Sequence, residues 1–207
     1  ITTPNNDNTP TITVTAANAT AVKVYSNGDF LGSASNGGSG NTWTLTPSAL
    51  ADGNYSITAT AEDAVGNVSA EATAQNVVID AVKAGVPVIS SAALTNDTTP
   101  VVSGTAEVGS TITAVIAGAT YTVVATDGTW SVDTGSTSNL TSGTLSLTTN
   151  GNNSVSVTAT DAALNVSSAA TQTLVIDSTA PSVTITDNNS GTANSDITYT
   201  ITFSEAV

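Results

Sequence analysis

Cysteine, methionine, histidine and arginine are all missing from this sequence, and lysine occurs only as Lys23 and Lys83. Without cysteine and histidine there is no Cys/His zinc site, haem ligation, disulfide, thiol nucleophile or Ser-His-Asp triad. Two lysines face sixteen acidic residues, giving a formal net charge of -14. That balance excludes nucleic acid as a partner, because phosphates are neutralised by basic side chains. It equally excludes contact of this segment with an anionic membrane surface. What remains is carboxylate, amide and hydroxyl chemistry, which suits hard cations such as calcium better than catalysis.

Aromatic residues are scarce at 4% and charged residues at 9%, whereas 39% of the chain is hydrophobic. Acidic disordered chains carry many charges and few β-branched residues, so a folded chain with thin cores of small aliphatic side chains is expected. No apolar run approaches the roughly 20 residues of a membrane-spanning helix. Ile1 opens directly on a polar, Asn-rich stretch with no signal peptide, and the sequence reads as a window cut from something longer. Its 207 residues suit one large domain or two small ones.

The chain repeats itself. Asn6-Asp7-Asn8-Thr9-Pro10 recurs as Asn96-Asp97-Thr98-Thr99-Pro100, and Trp43-Thr44-Leu45 as Trp130-Ser131-Val132. Gly53-Asn54-Tyr55-Ser56-Ile57 recurs as Gly151-Asn152-Asn153-Ser154-Val155, Asp63-Ala64-Val65-Gly66-Asn67 as Asp161-Ala162-Ala163-Leu164-Asn165, and Val78-Ile79-Asp80 as Val175-Ile176-Asp177. The anchors keep their order at offsets of about 87 to 98 residues, with an insertion of about 11 residues in the loop around Leu140 to Thr149. Ala180-Pro181-Ser182-Val183-Thr184-Ile185 opens a third copy. Three units are predicted: 1–84, lacking the strand matching Pro87 to Ala92; 85–179; and the incomplete 180–207.

Within each unit apolar residues alternate with polar ones, as in Tyr55, Ile57, Ala59 and Val155, Val157, Ala159, which is the period of strands. Asn27-Gly28, Asp52-Gly53, Asp127-Gly128 and Asn150-Gly151 supply hairpin signals. The second unit reads as about seven strands, near residues 86–90, 100–106, 111–117, 120–126, 129–133, 153–160 and 169–176. The predicted fold class is therefore all-β: tandem immunoglobulin-like β-sandwich domains of about seven strands each, plus a partial third module. With no disulfide, packing around Trp43 and Trp130 must hold the sheets together. Tyr55 is positioned for a tyrosine-corner bond, and Asn153 replaces it in the second copy.

The Asn-Asp-x-Thr-Pro segments, Val102-Ser103-Gly104-Thr105-Ala106-Glu107-Val108-Gly109-Ser110, Asp127-Gly128-Thr129-Trp130, Ala61-Glu62-Asp63-Ala64-Val65-Gly66-Asn67 and the Val-Ile-Asp ends give the chain a family likeness. It resembles the bacterial immunoglobulin-like repeat domains of giant surface adhesins and biofilm-associated proteins. That resemblance implies a stalk at the bacterial cell surface that extends a binding tip in cell adhesion or biofilm formation. It also implies neighbouring modules of the same chain as partners and calcium at the joints between them. Tracing the strands up and down brings Asp80 towards Asp161 and Asn165, Asp7 to Asp80, and Asp97 to Asp177 facing the third module, while Asp63 and Asn67 would face a preceding module. These eight residues are the candidate metal ligands, since calcium takes six to eight oxygens from such groups. The same Asp-x-x-x-Asn spacing is also ordinary turn chemistry, with Asp and Asn bonding backbone amides. Leu164 in place of Gly66 points to a differently shaped second turn, and Lys83 offers a carboxylate partner in the first linker.

Catalysis finds little support. Glu62 and Asp63 are neighbouring carboxylates, but successive strand residues point to opposite faces. Trp43 and Trp130 sit on alternating strands and read as core rather than ligand platforms. A β-solenoid would need a far shorter repeat. Two alternatives to the stalk are direct ligand binding by the loop at Ser136 to Thr149, and a filament or surface layer in which other copies donate strands.

Overall fold

The computed structural model describes residues 4–38, 40–192, 194 and 196–205. The first six strands are β1 (Ile12–Thr15), β2 (Ala21–Ser26), β3 (Asp29–Asn36), β4 (Thr42–Leu45), β5 (Gly53–Glu62) and β6 (Gln75–Ile79). Nine more follow: β7 (Val88–Ile89), β8 (Leu94–Thr95), β9 (Val101–Thr105), β10 (Thr111–Ile116), β11 (Ala119–Val124), β12 (Thr129–Asp133), β13 (Leu140–Gly143), β14 (Gly151–Thr160) and β15 (Ala170–Ile176). A hairpin of β16 (Val183–Asp187) and β17 (Tyr199–Phe203) ends the series. The architecture is all-β, with tandem sandwiches of the immunoglobulin type.

Strands β1 to β6 form one ribbon in the order β1-β4-β3-β2-β5-β6. It folds into two layers because β3 serves both, pairing with β2 along Asp29–Ala34 and with β4 at Ser35 and Asn36. In the second sandwich the layers are separate, β12-β9-β7 facing β13-β11-β10-β14-β15-β8. Alternation puts the small aliphatics inside. Val22, Val24, Ile57, Ala59, Val77 and Ile79 meet Ile12 and Trp43 in the first core. Ile112, Ile116, Tyr121, Val157 and Ile176 meet Val102, Trp130 and Val132 in the second. Each fully buried aliphatic contributes about 1.5–3 kcal/mol, which is what holds these layers together with no cysteine present. Both tryptophans are core residues, as their strand positions predicted. Ala84, at the predicted boundary, packs into the second core.

Two of the four predicted hairpin signals are two-residue turns. Asn27 (φ 52°) and Gly28 (φ 89°) join β2 to β3, and Asp127 (φ 53°) and Gly128 (φ 79°) lead into β12. Positive φ at both positions matches the right-handed twist of the flanking strands. Asp52-Gly53 and Asn150-Gly151 instead lead into the long strands β5 and β14, and their side chains hold the chain that leaves each sandwich. Asp52 Oδ1 accepts from the Ala81 N–H at 2.9 Å, and Asn150 Oδ1 from the Ser178 N–H at 2.7 Å. Ala117-Gly118 makes a further such turn between β10 and β11.

Each sandwich also contains a parallel contact between a segment near its start and its final strand. Leu94 and Thr95 of β8 pair in parallel with Val175 and Ile176 of β15, and Asn5 bridges Ile79 in the same sense. The inserted loop is partly a strand: β13 pairs with β11, and Leu140, Leu145 and Leu147 pack against the second core. The apolar side chains of the segment proposed for ligand binding therefore face inward.

Candidate functional site: the joint between the sandwiches

Eight acidic or amide residues were expected at the poles of the modules, and the structure sorts them into three kinds of turn. Asp7 and Asp97 each cap the residue two further on. Asp7 Oδ1 accepts from the Thr9 N–H (2.8 Å) and hydroxyl (3.0 Å), and Asp97 Oδ1 from the Thr99 N–H (2.8 Å) and hydroxyl (3.2 Å). Asp80 Oδ1 and Asp177 Oδ1 accept from the N–H groups of Val82 (3.2 Å) and Thr179 (3.1 Å) in the segments that leave each sandwich. These are turns in which a short acidic side chain bonds its own backbone.

The third kind is the pair Asp63–Asn67 and Asp161–Asn165, built almost identically. Asp63 Oδ1 accepts from the N–H groups of Val65 (3.0 Å) and Asn67 (2.9 Å), and its Oδ2 from Asn67 Nδ2 at 2.8 Å. Asp161 Oδ1 accepts from the Asn165 N–H and its Oδ2 from Asn165 Nδ2, both at 2.9 Å. The differently shaped turn expected from Leu164 does not occur. Leu164 adopts φ 71° where Gly66 has φ 90°, and its N–H donates to the Asp161 carbonyl as the Gly66 N–H does to Asp63. The ring of hydrogen bonds around the carboxylate dictates the backbone and forces a leucine into the left-handed region. The donors converging on Asp63, the Asn67 side chain first and its backbone N–H next, hold its carboxyl below the usual carboxylate range.

What distinguishes the two turns is their surroundings. Asn67 is exposed, whereas Asn165 is buried because the end of the first sandwich lies on it. Asn165 Nδ2 donates to the Asp80 carbonyl oxygen at 2.8 Å, crossing from the second sandwich to the residue that follows the last strand of the first. Glu107 Oε2 accepts from the Gly85 N–H at 3.4 Å on the same side, and Ala84 is buried beneath. The structure thus brings Asp80, Asp161 and Asn165 together. The atom used is the backbone carbonyl of Asp80, whereas its carboxylate faces Val82. Sequence reasoning gave no role to Asp52 and Asn150 as clamps on the departing chain. Their matched places just before Gly53 and Gly151 were the available signal.

At the other pole Asp97 and Asp177 meet around Thr95. The Asp97 N–H donates to Thr95 Oγ1 (3.0 Å) and the Asp177 N–H to the Thr95 carbonyl (2.9 Å). Among the described residues no three carboxylates gather in one place. Both oxygens of the Asp161 carboxylate already accept N–H groups from Asn165, whereas calcium takes six to eight oxygens. Lys83 forms no ion pair among the described residues. Lys23 does, with Glu62 at 4.0 Å, so one of the two neighbouring carboxylates considered for catalysis pairs with a lysine and the other is enclosed in its turn. Among the described residues no helix is long and apolar enough to cross a membrane.

Residues 3–81 match the family model of the bacterial Ig-like domain. No curated protein matches the chain. Among solved structures, the fibronectin(III)-like modules of Clostridium thermocellum CbhA align over 81% of this chain and 86% of that one, at 15% identity and a TM-score of 0.48. A protein from Corynebacterium diphtheriae described as membrane anchored aligns over 86% of this chain at 13% identity and a TM-score of 0.30. This chain spans about half, 52%, of that protein's length.

Proposed function

We propose that the chain is a structural spacer on the outside of a bacterial cell, a stalk segment whose modules, 1–84, 85–179 and the opening of a third at 180–207, extend a binding tip in adhesion or biofilm formation. The observation that carries this reading is the hydrogen bond from Asn165 Nδ2 to the Asp80 carbonyl. A fixed joint between consecutive sandwiches is what a spacer needs and a freely hinged string lacks. The likeness of residues 3–81 to bacterial Ig-like domains supports the surface setting. The charge of -14 supports an extended arrangement, because like charges along a chain repel.

In this reading the joint is fastened by the Asn165 carboxamide and needs no cation. Small-angle scattering of the 207-residue chain tests both points. An elongated particle whose dimensions are unchanged by chelator, and more flexible in Asn165→Ala, is the expected result. A compact particle overturns the spacer reading. An elongated particle that loosens on chelation instead assigns calcium to the junctions at Asp80, Asp161 and Asn165.

A further inference from the structure

Going beyond the spacer reading, and without depending on it, we propose that the joint between the two sandwiches is also a docking site. Leu164 anchors an apolar surface there for a partner protein segment that is itself both apolar and basic.

The Leu164 side chain has no use inside the chain. It is 70% exposed and held at φ 71°, where Gly66 takes the same backbone path in the first sandwich at φ 90°. The N–H bond from Leu164 to the Asp161 carbonyl needs no side chain, since Gly66 makes the equivalent bond to Asp63. A leucine in this place is strained and solvated at once, and residues held against backbone strain gather at working surfaces. Val108 shows a parallel change. Counted from Thr105-Ala106, which match Thr15-Ala16, it stands where Asn18 stands in the first sandwich, and it is 71% exposed. At this one pole the second sandwich therefore carries large aliphatic side chains where the first has an amide and a glycine.

These positions share the joint. Thr111 at the start of β10 pairs with Thr160 at the end of β14, so the turn at 107–110 and the turn at 161–165 lie side by side. The linker crosses both, with the Asp80 carbonyl on Asn165 and the Gly85 N–H on Glu107 Oε2. It brings exposed Val82 and Val86 to the same region. The charged groups among these side chains are acidic. Asp52, Asp80, Glu107 and Asp161 each accept an N–H group of the joint, and Lys83 is the one cation on the linker.

An apolar centre with an acidic rim is complementary to an apolar segment that carries lysine or arginine. The same charge opposes other occupants. A second copy, at -14 with two lysines, would set acid against acid, and an anionic lipid surface is repelled likewise.

Titrating the isotope-labelled full chain with a synthetic amphipathic lysine–leucine peptide, and following amide resonances, tests this. The peptide is expected to shift residues 82–86, Val108 and Leu164, and to bind more weakly as salt rises. Leu164→Gly removes the anchor but leaves the turn as the first sandwich has it. That variant should bind about tenfold more weakly while melting no lower than the unaltered chain. Val65→Ala, an exposed change in the matching turn of the first sandwich, should leave the affinity unchanged. Equal binding of a lysine–serine peptide would reduce the site to charge alone. Binding of a glutamate–leucine peptide, or self-association of the chain through the joint, would name a different occupant. Any of these results, full affinity in Leu164→Gly, or no shift at the joint overturns the proposal.

Discussion

Tyr55 and Asn153 hold the same place in the repeat and pin the same stretch of backbone with different chemistry. Tyr55 Oη donates to the Ala51 carbonyl at 2.7 Å. Asn153 accepts from the Thr148 N–H at 2.7 Å and donates to the carbonyls of Thr148 (3.0 Å), Gly151 and Leu174 (both 3.3 Å). The phenol reaches a loop of ordinary length across the solvent edge. The shorter carboxamide, 4% exposed, draws the longer inserted loop down onto the core.

Removing these groups should therefore cost different amounts. Tyr55→Phe loses one exposed hydrogen bond and is expected to cost about 1 kcal/mol. Asn153→Ala strands several backbone groups in a buried place and should cost about 2 kcal/mol or more. Calorimetric unfolding of the two variants checks the order, and equal losses would contradict it.

The two tryptophans differ in the same way. Trp130 Nε1 donates to the Thr105 carbonyl at 3.3 Å, whereas Trp43 Nε1 is buried without a partner. Phenylalanine at 130 gives up that bond, while at 43 it removes a desolvated donor. Trp130→Phe is expected to destabilise by about 1 kcal/mol more than Trp43→Phe, read from denaturant midpoints.

Leu164 is 70% exposed and held at φ 71°. A non-glycine residue there carries a left-handed penalty of about 1–2 kcal/mol, partly offset by the greater chain entropy glycine loses on folding. Leu164→Gly should stabilise the second sandwich by about 0.5–1 kcal/mol, while Gly66→Leu should weaken the first. A lower melting temperature for Leu164→Gly would refute the account.

Acid should weaken the Asp63 turn. The carboxyl is more acidic in the folded chain than an ordinary aspartate, so its contribution is complete above the unfolded value and disappears as pH falls through the lower folded value. Melting temperature is expected to drop below about pH 4, with a shallower drop in Asp63→Asn. Identical acid limbs for the two proteins would show that the turn does not couple to folding.

The parts of this structure legible in the sequence were those written in alternation and repetition. Tyr55-Ile57-Ala59 and its copy at 153–159 announced β5 and β14, and the matched Asp63 and Asp161 segments announced the poles and hence the joint. The strands that escaped, β8 and β13, are short: Leu94–Thr95 is held by parallel pairing to a distant strand, and Leu140–Gly143 by the free edge of β11. Neither has enough residues to show a period. The joint's chemistry escaped for another reason. A backbone carbonyl such as that of Asp80 leaves no mark in a sequence, so its carboxylate drew the prediction while the main chain made the contact.

The parallel contacts within each sandwich bear on what happens when the chain is pulled. The bonds Val175 N–H to Ala93, Asp177 N–H to Thr95, Asn5 N–H to Val78 and Asp80 N–H to Asn5 join a segment near the start of each sandwich to its final strand. Tension applied at the two ends of a sandwich runs along these strands in opposite directions, so the bonds are loaded in shear and must yield together. An antiparallel hairpin drawn apart from its open end would tear one rung at a time. Bonds arranged this way yield at a higher force than the rungs of a hairpin unzipped from its end.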